Sequence, residues 1–241
     1  AGDALHSPLL SVDGALIRYR RVIGVLPFSR DRWGAADAAR DTFGRFPLVP
    51  PRHLADYAYV LHCLSVLDQE GCAVVLTTRG VLFRGGSEQA IRKFLIEGDH
   101  LDAVIGLPGG LLYGTHIPTA LLVLRREKRR HQGEVLFMDL PRMHEGRSRK
   151  AAFSESEIAE VASDVHDFRA IPGKSRVVHV HEIEKNDWGL NPTAYLPRPG
   201  QKPDVDLLER LQRLANMERE REEAVGRTDA LVKELIRRFA L

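Results

Sequence analysis

The chain has 241 residues, of which 44% are hydrophobic and 28% are charged, a composition typical of a folded globular protein. Its formal net charge of +2 does not by itself indicate a nucleic-acid-binding protein. All apolar runs are shorter than the roughly 20 residues that span a bilayer, which excludes a membrane protein. Only two cysteines occur, Cys63 and Cys72. They are too few for a zinc site or a disulfide framework, and their scarcity favours a cytoplasmic protein.

Hydrophobic periodicity predicts alternating strands and helices along most of the chain. In chain order, the predicted elements are a buried strand at 21–25, a loop at 29–53, a helix at 55–67, a buried strand at 73–78, a helix at 87–96, strands at 103–107, 119–124 and 135–140, a helix at 154–167 and a strand at 177–180. This alternation is typical of an α/β protein with a mainly parallel sheet.

Local signals support several of these boundaries. Gly71 is the predicted C-cap of the first helix. Ser154 and Glu157 form a capping-box pattern at the start of the last helix. No helix separates the strands at 103–107 and 119–124, and their connection is long enough for a hairpin. One antiparallel strand is therefore expected near the sheet edge.

The C-terminal region has a different character. Residues 186–204 are rich in proline and glycine and predict an extended connector, whereas 204–241 predict one or two amphipathic helices. Their apolar stripes consist of Leu207, Leu208, Leu211, Leu214, Leu231, Leu235 and Ile236. These stripes suit a partner protein, a second copy of the chain or the chain's own sheet. The predicted organisation is a domain at 1–150, an extension and connector at 151–203, and a helical segment at 204–241.

Several polar patterns allow two interpretations each. The basic clusters at 125–130 and 142–150 suit either phosphate contacts or solvated surface. The turn at 84–86 suits either a phosphate at a helix N-terminus or a plain strand-to-helix turn. His179 and His181 share one strand face but have no further ligand at metal-binding spacing, so no metal site is predicted.

Three stretches of the sequence together resemble one known family. They are the segment 55–62 followed by Gly-Val-Leu-Phe-Arg-Gly at 80–85, the segment 104–123 with its Leu-Pro, Tyr-Gly-Thr and Ile-Pro-Thr groups, and the segment 182–195 with Leu-Asn at 190–191. In this order they resemble the modification subunit of type I restriction–modification systems, an adenine-specific DNA methyltransferase. The resemblance covers nearly the whole chain.

The resemblance implies a fold and a cofactor. The fold is the later half of a class I S-adenosylmethionine-dependent methyltransferase sheet, which is Rossmann-like and contains an antiparallel strand, with a C-terminal helical extension. Residues 1–150 then form part of the catalytic domain. Residues 2–5 resemble the family's Gly-Asp-Thr-Leu segment, which makes Asp3 a cofactor-binding candidate. The family's glycine-rich cofactor turn is absent from this sequence, and it is expected upstream of Ala1 together with the first strands.

The family's catalytic tetrad, Asn-Pro-Pro-Phe, is altered here to Val25, Leu26, Pro27 and Phe28. The target adenine leaves the duplex to be methylated. In the family, the Asn oxygen and a proline carbonyl accept hydrogen bonds from its amine, and the aromatic ring stacks on the base. Phe28 retains the stacking role and Pro27 the rigid turn, but Val25 cannot accept a hydrogen bond. The pocket either keeps a weakened activity or belongs to a domain that no longer methylates.

The expected partners also follow from the resemblance. Arg79, Arg84, Tyr113 and Thr115 are candidate DNA contacts, because their loops follow strand ends where α/β sheets bind ligands. A separate specificity subunit reads the DNA sequence in this family, and a restriction subunit completes the complex. The C-terminal helix is expected to contact a partner or to form a homodimer. The predicted function is therefore adenine-N6 methylation of DNA, and the alternative is an inactive methyltransferase-like scaffold that binds DNA or a specificity-type subunit.

Overall fold

The computed structural model describes residues 3–28, 30–31, 33–113, 115–140 and 153–196, together with helical positions at 216–219, 221 and 225. The chain forms two compact units, 1–197 and 198–241. The first unit contains the predicted domain at 1–150 and most of the predicted extension at 151–203. The leucine stripes predicted within 204–241 and the basic cluster at 142–150 lie outside the described residues.

The first unit contains one main sheet and the helices that pack on it. Its elements, in chain order, are β1 (Ser11–Val12), β2 (Ala15–Leu16), β3 (Tyr19–Val25), α1 (Ala35–Ala38), α2 (Asp56–Ser65), β4 (Leu67–Thr78), a 3₁₀ turn (Arg79–Leu82), α3 (Ser87–Glu97), β5 (Leu101–Gly106), β6 (Thr119–Arg125), β7 (Glu134–Asp139), α4 (Glu155–His166), β8 (Ser175–His179), α5 (Val180–Lys185) and α6 (Pro192–Tyr195). The short strands β1 and β2 form a separate hairpin.

The main sheet has the strand order β3-β4-β6-β5-β7-β8. Strands β3 and β4 are parallel, and so are β5 and β7. Strand β6 is antiparallel to both of its neighbours, which confirms the predicted antiparallel strand. It lies inside the sheet rather than near the edge, because β5 pairs with β7 on its other side. A second antiparallel strand, β8, forms one edge of the sheet.

Apolar side chains cover the two faces of this sheet unequally. We call the face that α2 and α3 cover the helix face. There, Tyr57 and Leu61 of α2 and Leu95 of α3 pack on inward residues of the sheet such as Val75 and Phe137. On the opposite face, α4 covers a smaller core through its half-buried valines. We call this second face the α4 face. No helix among the described residues is long and apolar enough to cross a membrane.

Two capping predictions have opposite outcomes. At α4, the Ser154 hydroxyl accepts a hydrogen bond from the Glu157 amide and the Glu157 carboxylate accepts one from the Ser154 amide, which confirms the capping box. The predicted C-cap at Gly71 is wrong, because α2 ends at Ser65 and Gly71 lies within β4. A Cβ at Gly71 would lie 2.8 Å from the Cβ of Leu67. Glycine is therefore required by close packing within an irregular strand.

The prediction of a fully buried first strand is also wrong. Gly24 of β3 faces α2, and a Cβ there would lie 3.3 Å from the Cys63 sulfur. Ile23 and Val25 point to the α4 face and are 85% and 70% exposed. The cause is position: β3 is an edge strand of the described sheet, and α4 packs near the centre of that face rather than over β3.

Candidate functional site

The candidate site lies where β3, β4, β5 and β7 end and β6 begins. Parallel strands bring their carboxyl ends to one edge of a sheet, and open α/β sheets bind ligands there. At this edge, Thr78 pairs with Thr119 and Gly106 pairs with both Ala120 and Asp139. We call it the carboxyl edge.

The altered tetrad occupies the β3 end of the carboxyl edge. Val25 pairs with Leu76, and the Leu26 amide donates to the Leu76 carbonyl at 3.2 Å. Leu26 is buried, Pro27 is exposed and Phe28 is half-buried. The Val25 side chain carries no hydrogen-bonding atom, so at this turn only backbone carbonyls can accept a hydrogen bond from a ligand amine.

An ion pair joins the segment after the tetrad to Asp3. The Arg30 guanidinium donates to the Asp3 carboxylate at 3.2 Å and to the Tyr59 hydroxyl at 3.0 Å. The other Asp3 oxygen accepts the amides of Leu5 and His6. Burial raises the pKa of the Asp3 carboxyl, but the hydrogen bonds from His6 and Leu5 outweigh it and leave the pKa below its usual value. Both carboxylate oxygens therefore have partners within the protein.

Arg45 fixes the segment next to Asp3, a role that no local sequence pattern indicates. Its buried guanidinium pairs with Asp41 at 2.7 Å and donates to the carbonyls of Ala4 and Leu5 at 2.8 and 2.7 Å. It also lies 3.3 Å from Nδ1 of His62. Burial, together with this cation, lowers the pKa of His62 to about 4. A buried arginine that binds two successive carbonyls holds the residues after Asp3 in one conformation.

Arg79, a predicted DNA contact, reaches across the sheet instead of out to solvent. Its guanidinium donates to the Asp139 carboxylate at 2.7 Å and to the Leu107 carbonyl at 3.2 Å. A Cβ at Gly106 would lie 2.6 Å from Nη2 of Arg79, so the glycine makes room for this contact. These contacts tie the ends of β4, β5 and β7 together. A DNA contact by Arg79 stays a prediction, and its hydrogen bonds favour a bracing role.

Arg84, the second predicted arginine, lies between two buried carboxylates. It contacts Glu88 through two nitrogens and Asp56 at 3.0 Å, and both acids are almost completely buried. The Arg84 side chain is 27% exposed. Gly85 and Gly86 beside it have open space around the position of a Cβ. The turn at 84–86 is therefore accessible at the carboxyl edge, but its arginine is neutralised by the protein.

Tyr113 and Thr115 lie on the loop between β5 and β6. Tyr113 is fully exposed. Thr115 is half-buried, and its hydroxyl accepts the Ile117 amide at 3.2 Å. The loop starts and ends at the carboxyl edge, where the Leu107 amide donates to the Thr119 carbonyl at 2.9 Å. The structure thus places both residues on the loop that connects two strand ends of the carboxyl edge, and their contact with DNA stays a prediction.

The basic cluster at 125–130 lies at the opposite end of β6. Its side chains are mostly paired: Arg125 with Asp102 at 2.6 Å, Lys128 with Asp99 at 3.1 Å and Arg129 with Glu70 at 2.7 Å. These pairs favour the interpretation as a stabilised surface over a phosphate site. Among the described residues there is no group of three or more metal-ligating side chains.

The sheet with its antiparallel β6, and the proline–aromatic turn at its carboxyl edge, define a class I methyltransferase fold. The chain belongs to the N-6 DNA Methylase family, whose sequence profile matches residues 1–203. This confirms the family and the fold class that the sequence predicted.

Known proteins similar to this chain have names that agree with this family. The MjaVII methylase subunit of a type I restriction enzyme from Methanocaldococcus jannaschii is 31% identical over 192 residues, which cover 78% of this chain and 33% of that protein. The HindI methylase subunit from Haemophilus influenzae is 28% identical over 207 residues, which cover 82% of this chain and 46% of that protein. The chain thus spans between a third and a half of these relatives.

Solved structures give the same picture for the fold. The methyltransferase subunit of a type I restriction–modification system from Streptococcus thermophilus superimposes with a TM-score of 0.73 at 26% identity, over 81% of this chain and 41% of that one. The EcoKI M protein, another type I subunit, superimposes with a TM-score of 0.55 at 20% identity, over 91% of this chain and 50% of that one. The second likeness concerns the fold alone.

Proposed function

We propose that this chain is the target-binding part of the modification subunit of a type I restriction–modification system, which methylates adenine N6 in DNA. The observation that supports this proposal is the proline–aromatic turn at the carboxyl edge, in a chain that belongs to the N-6 DNA Methylase family. Phe28 stacks on the flipped adenine, and the Leu26 carbonyl accepts a hydrogen bond from its amine. These contacts orient the nitrogen lone pair, which is how a positioned site accelerates group transfer.

The methyl donor would be S-adenosylmethionine, which supplies an electrophilic methyl group. The described residues do not supply a complete site for it. Both oxygens of Asp3, the one predicted cofactor contact, are engaged by Arg30, His6 and backbone amides. The sequence also lacks the family's glycine-rich turn. We therefore expect this chain alone to bind S-adenosylmethionine weakly or not at all in calorimetric titration, and micromolar affinity would contradict this expectation.

A second candidate function, a non-catalytic scaffold, is favoured by Val25. Where the family has an acceptor amide, Val25 offers only methyl groups, and its side chain is 70% exposed. An adenine amine without its hydrogen-bond partner loses about 1–3 kcal/mol of interaction. The scaffold would retain DNA or subunit binding without methyl transfer.

Restoring the tetrad separates the two functions. Radiolabelled methyl transfer to DNA is measured for wild type and for the double variant Val25→Asn with Leu26→Pro, in the complete complex. We expect activity to increase about tenfold or more, since 1.4 kcal/mol corresponds to a factor of ten. Ile23→Asn is the matched control, because Ile23 lies on the same strand and the same face. A scaffold stays inactive in every variant. A fully active wild type in which Phe28→Ala has no effect would show that the site is placed wrongly.

The partners proposed for the chain are those of a type I complex. Because the similar proteins are named as subunits of type I restriction enzymes, we propose assembly with a DNA-specificity subunit and a restriction subunit in the cytoplasm. DNA contacts by the isolated chain would be weak and directed to phosphates, so affinity should fall steeply as salt rises. Pairing through the C-terminal helix, with a partner or in a homodimer, stays a prediction that lies outside the described residues.

A further inference from the structure

A strained turn follows α5 on the helix face of the sheet. Asp187 and Trp188 are successive residues with φ values of 53° and 58°. This left-handed conformation is unfavourable for a bulky residue such as Trp188, and it persists where surrounding contacts hold it. We call residues 186–190 the left-handed turn.

Helix α3 supplies the contacts that hold this turn. The Gln89 amide donates to the Asp187 carbonyl at 3.0 Å, and Nε of Arg92 donates to the Trp188 carbonyl at 2.8 Å. The Lys93 ammonium lies 5.2 Å from the centre of the Trp188 ring. These three residues share one face of the helix, because they are three and four positions apart.

Arg92 also reaches the carboxyl edge with the other end of its guanidinium. Nη1 donates to the Arg84 carbonyl at 2.7 Å and to the Val81 carbonyl at 3.0 Å, and the residue is only 1% exposed. In parallel, the Leu190 amide donates to the Leu82 carbonyl at 2.7 Å. The left-handed turn and segment 81–84 are therefore joined both directly and through one buried cation.

Segment 81–84 carries two side chains of the carboxyl edge. Phe83 is 63% exposed, and Arg84 is held between Asp56 and Glu88. The exposed aromatic ring is of the kind that stacks on bases, whereas the Arg84 guanidinium is neutralised by its two carboxylates. Their direction depends on the backbone at 81–84, to which Arg92 binds.

We propose that Arg92 is a positioning residue: it couples the left-handed turn to segment 81–84 and thereby sets where Phe83 meets a DNA strand. The DNA part of this inference rests on the proposed function. The coupling itself concerns only the protein, so the two parts are measured separately.

The coupling is tested by backbone amide exchange in the full chain. Arg92→Lys keeps the charge but removes the forked set of donors. We expect exchange in 79–88 to increase about tenfold, because the opening of this segment becomes easier. Gln89→Ala is a milder variant on an exposed contact, and it should speed exchange in both 186–190 and 79–88. Arg125→Lys is the control, because Arg125 lies at the end of β6 that is away from the carboxyl edge. It should change the exchange of neither segment. Faster exchange confined to 186–190 in Gln89→Ala would overturn the coupling.

The consequence for DNA is tested by the affinity of the same variants for a DNA duplex, followed by fluorescence anisotropy at several salt concentrations. We expect Arg92→Lys to bind about fivefold or more weakly with an unchanged salt dependence, because the stacking contact of Phe83 is lost and no phosphate contact changes. Unchanged affinity despite faster exchange in 79–88 would overturn the positioning role. If the wild-type chain binds no DNA, the proposed function fails, whereas the exchange result still decides the coupling.

Discussion

Strands β5 and β3 have similar apolar sequences but differ in how deeply their side chains are buried. Every residue of β5 is buried, because β6 and β7 flank it and both faces of the sheet are covered there. In β3, only the helix face is packed, and Ile23 and Val25 stay exposed on the α4 face. A run of apolar residues thus predicts a strand, but its burial depends on neighbours that periodicity does not reveal.

Two ion pairs add to the apolar packing of the region around β3, where Leu5, Trp33, Ala38, Ala55 and Ala58 form a small core. Arg45 and Asp41 form a buried ion pair with side chains that are 4% and 6% exposed. Arg30 and Asp3 form a second, more exposed pair beside the tetrad. The β5 region depends on the volume of its side chains, whereas the β3 region depends on a small number of charges as well as on its core. The two regions should therefore respond to different perturbations.

The largest effect is expected at the buried ion pair. Arg45→Met leaves the Asp41 carboxylate buried without its cation, which typically costs 3–5 kcal/mol, so we expect a loss of about 4 kcal/mol in the free energy of unfolding. Arg20→Met is the control, because Arg20 pairs with Glu70 at 2.6 Å on the surface and should contribute about 0–1 kcal/mol. Urea unfolding measures both variants. Equal losses would refute a special role for the buried pair.

The next effect compares the same substitution in the two strands. Ile105→Ala in β5 removes a side chain that is 3% exposed, and we expect a loss of about 2–5 kcal/mol. Ile23→Ala in β3 removes one that is 85% exposed and should change the stability by about 0.5 kcal/mol or less. Thermal and urea unfolding decide the outcome. A large loss at Ile23 would mean that the α4 face over β3 is covered in solution.

The smallest effect is the pH dependence of the β3 region. Because the pKa of His62 falls from about 6.5 to about 4 on folding, the unfolded chain binds the extra proton between these values. His62 therefore does not lower the free energy of unfolding above pH 6.5, but it lowers that free energy increasingly as the pH falls towards 4. At about 1.4 kcal/mol per pKa unit, the loss is about 3 kcal/mol at most. The difference between wild type and His62→Gln isolates it, and a difference that does not change between pH 7 and 4 would contradict it.

Much of the fold could be predicted because its signals are local. The capping box at Ser154 fixed the start of α4, and the missing helix between β5 and β6 predicted an antiparallel strand. The order of strands in the sheet depends on long-range pairing, so the sequence suggested neither the interior place of β6 nor the antiparallel β8. Gly71 was misassigned because a helix cap and a tight strand require the same residue for different reasons.

The resemblance to a known family was enough to locate the residues of the candidate site. It was not enough to predict the role of arginines that the fold buries. The tetrad and the exposed Tyr113 lie at the carboxyl edge, as expected. Arg45 and Arg92 were missed, because charged residues are almost always on the surface and nothing local marks a buried one. Arg79 and Arg84 were recognised as edge residues, but their acidic partners Asp139 and Glu88 come from other elements or the next helix turn.

The open side of β3 also affects how the protein behaves at high concentration. An edge strand with exposed apolar side chains is a template for pairing with another molecule, and such pairing leads to aggregation. The apolar residues 22–25 directly follow Arg21, which is exposed and carries a charge of the kind that keeps such segments apart in solution. Because salt screens such charge, we expect the isolated chain to aggregate more during purification at high ionic strength than in a low-salt buffer.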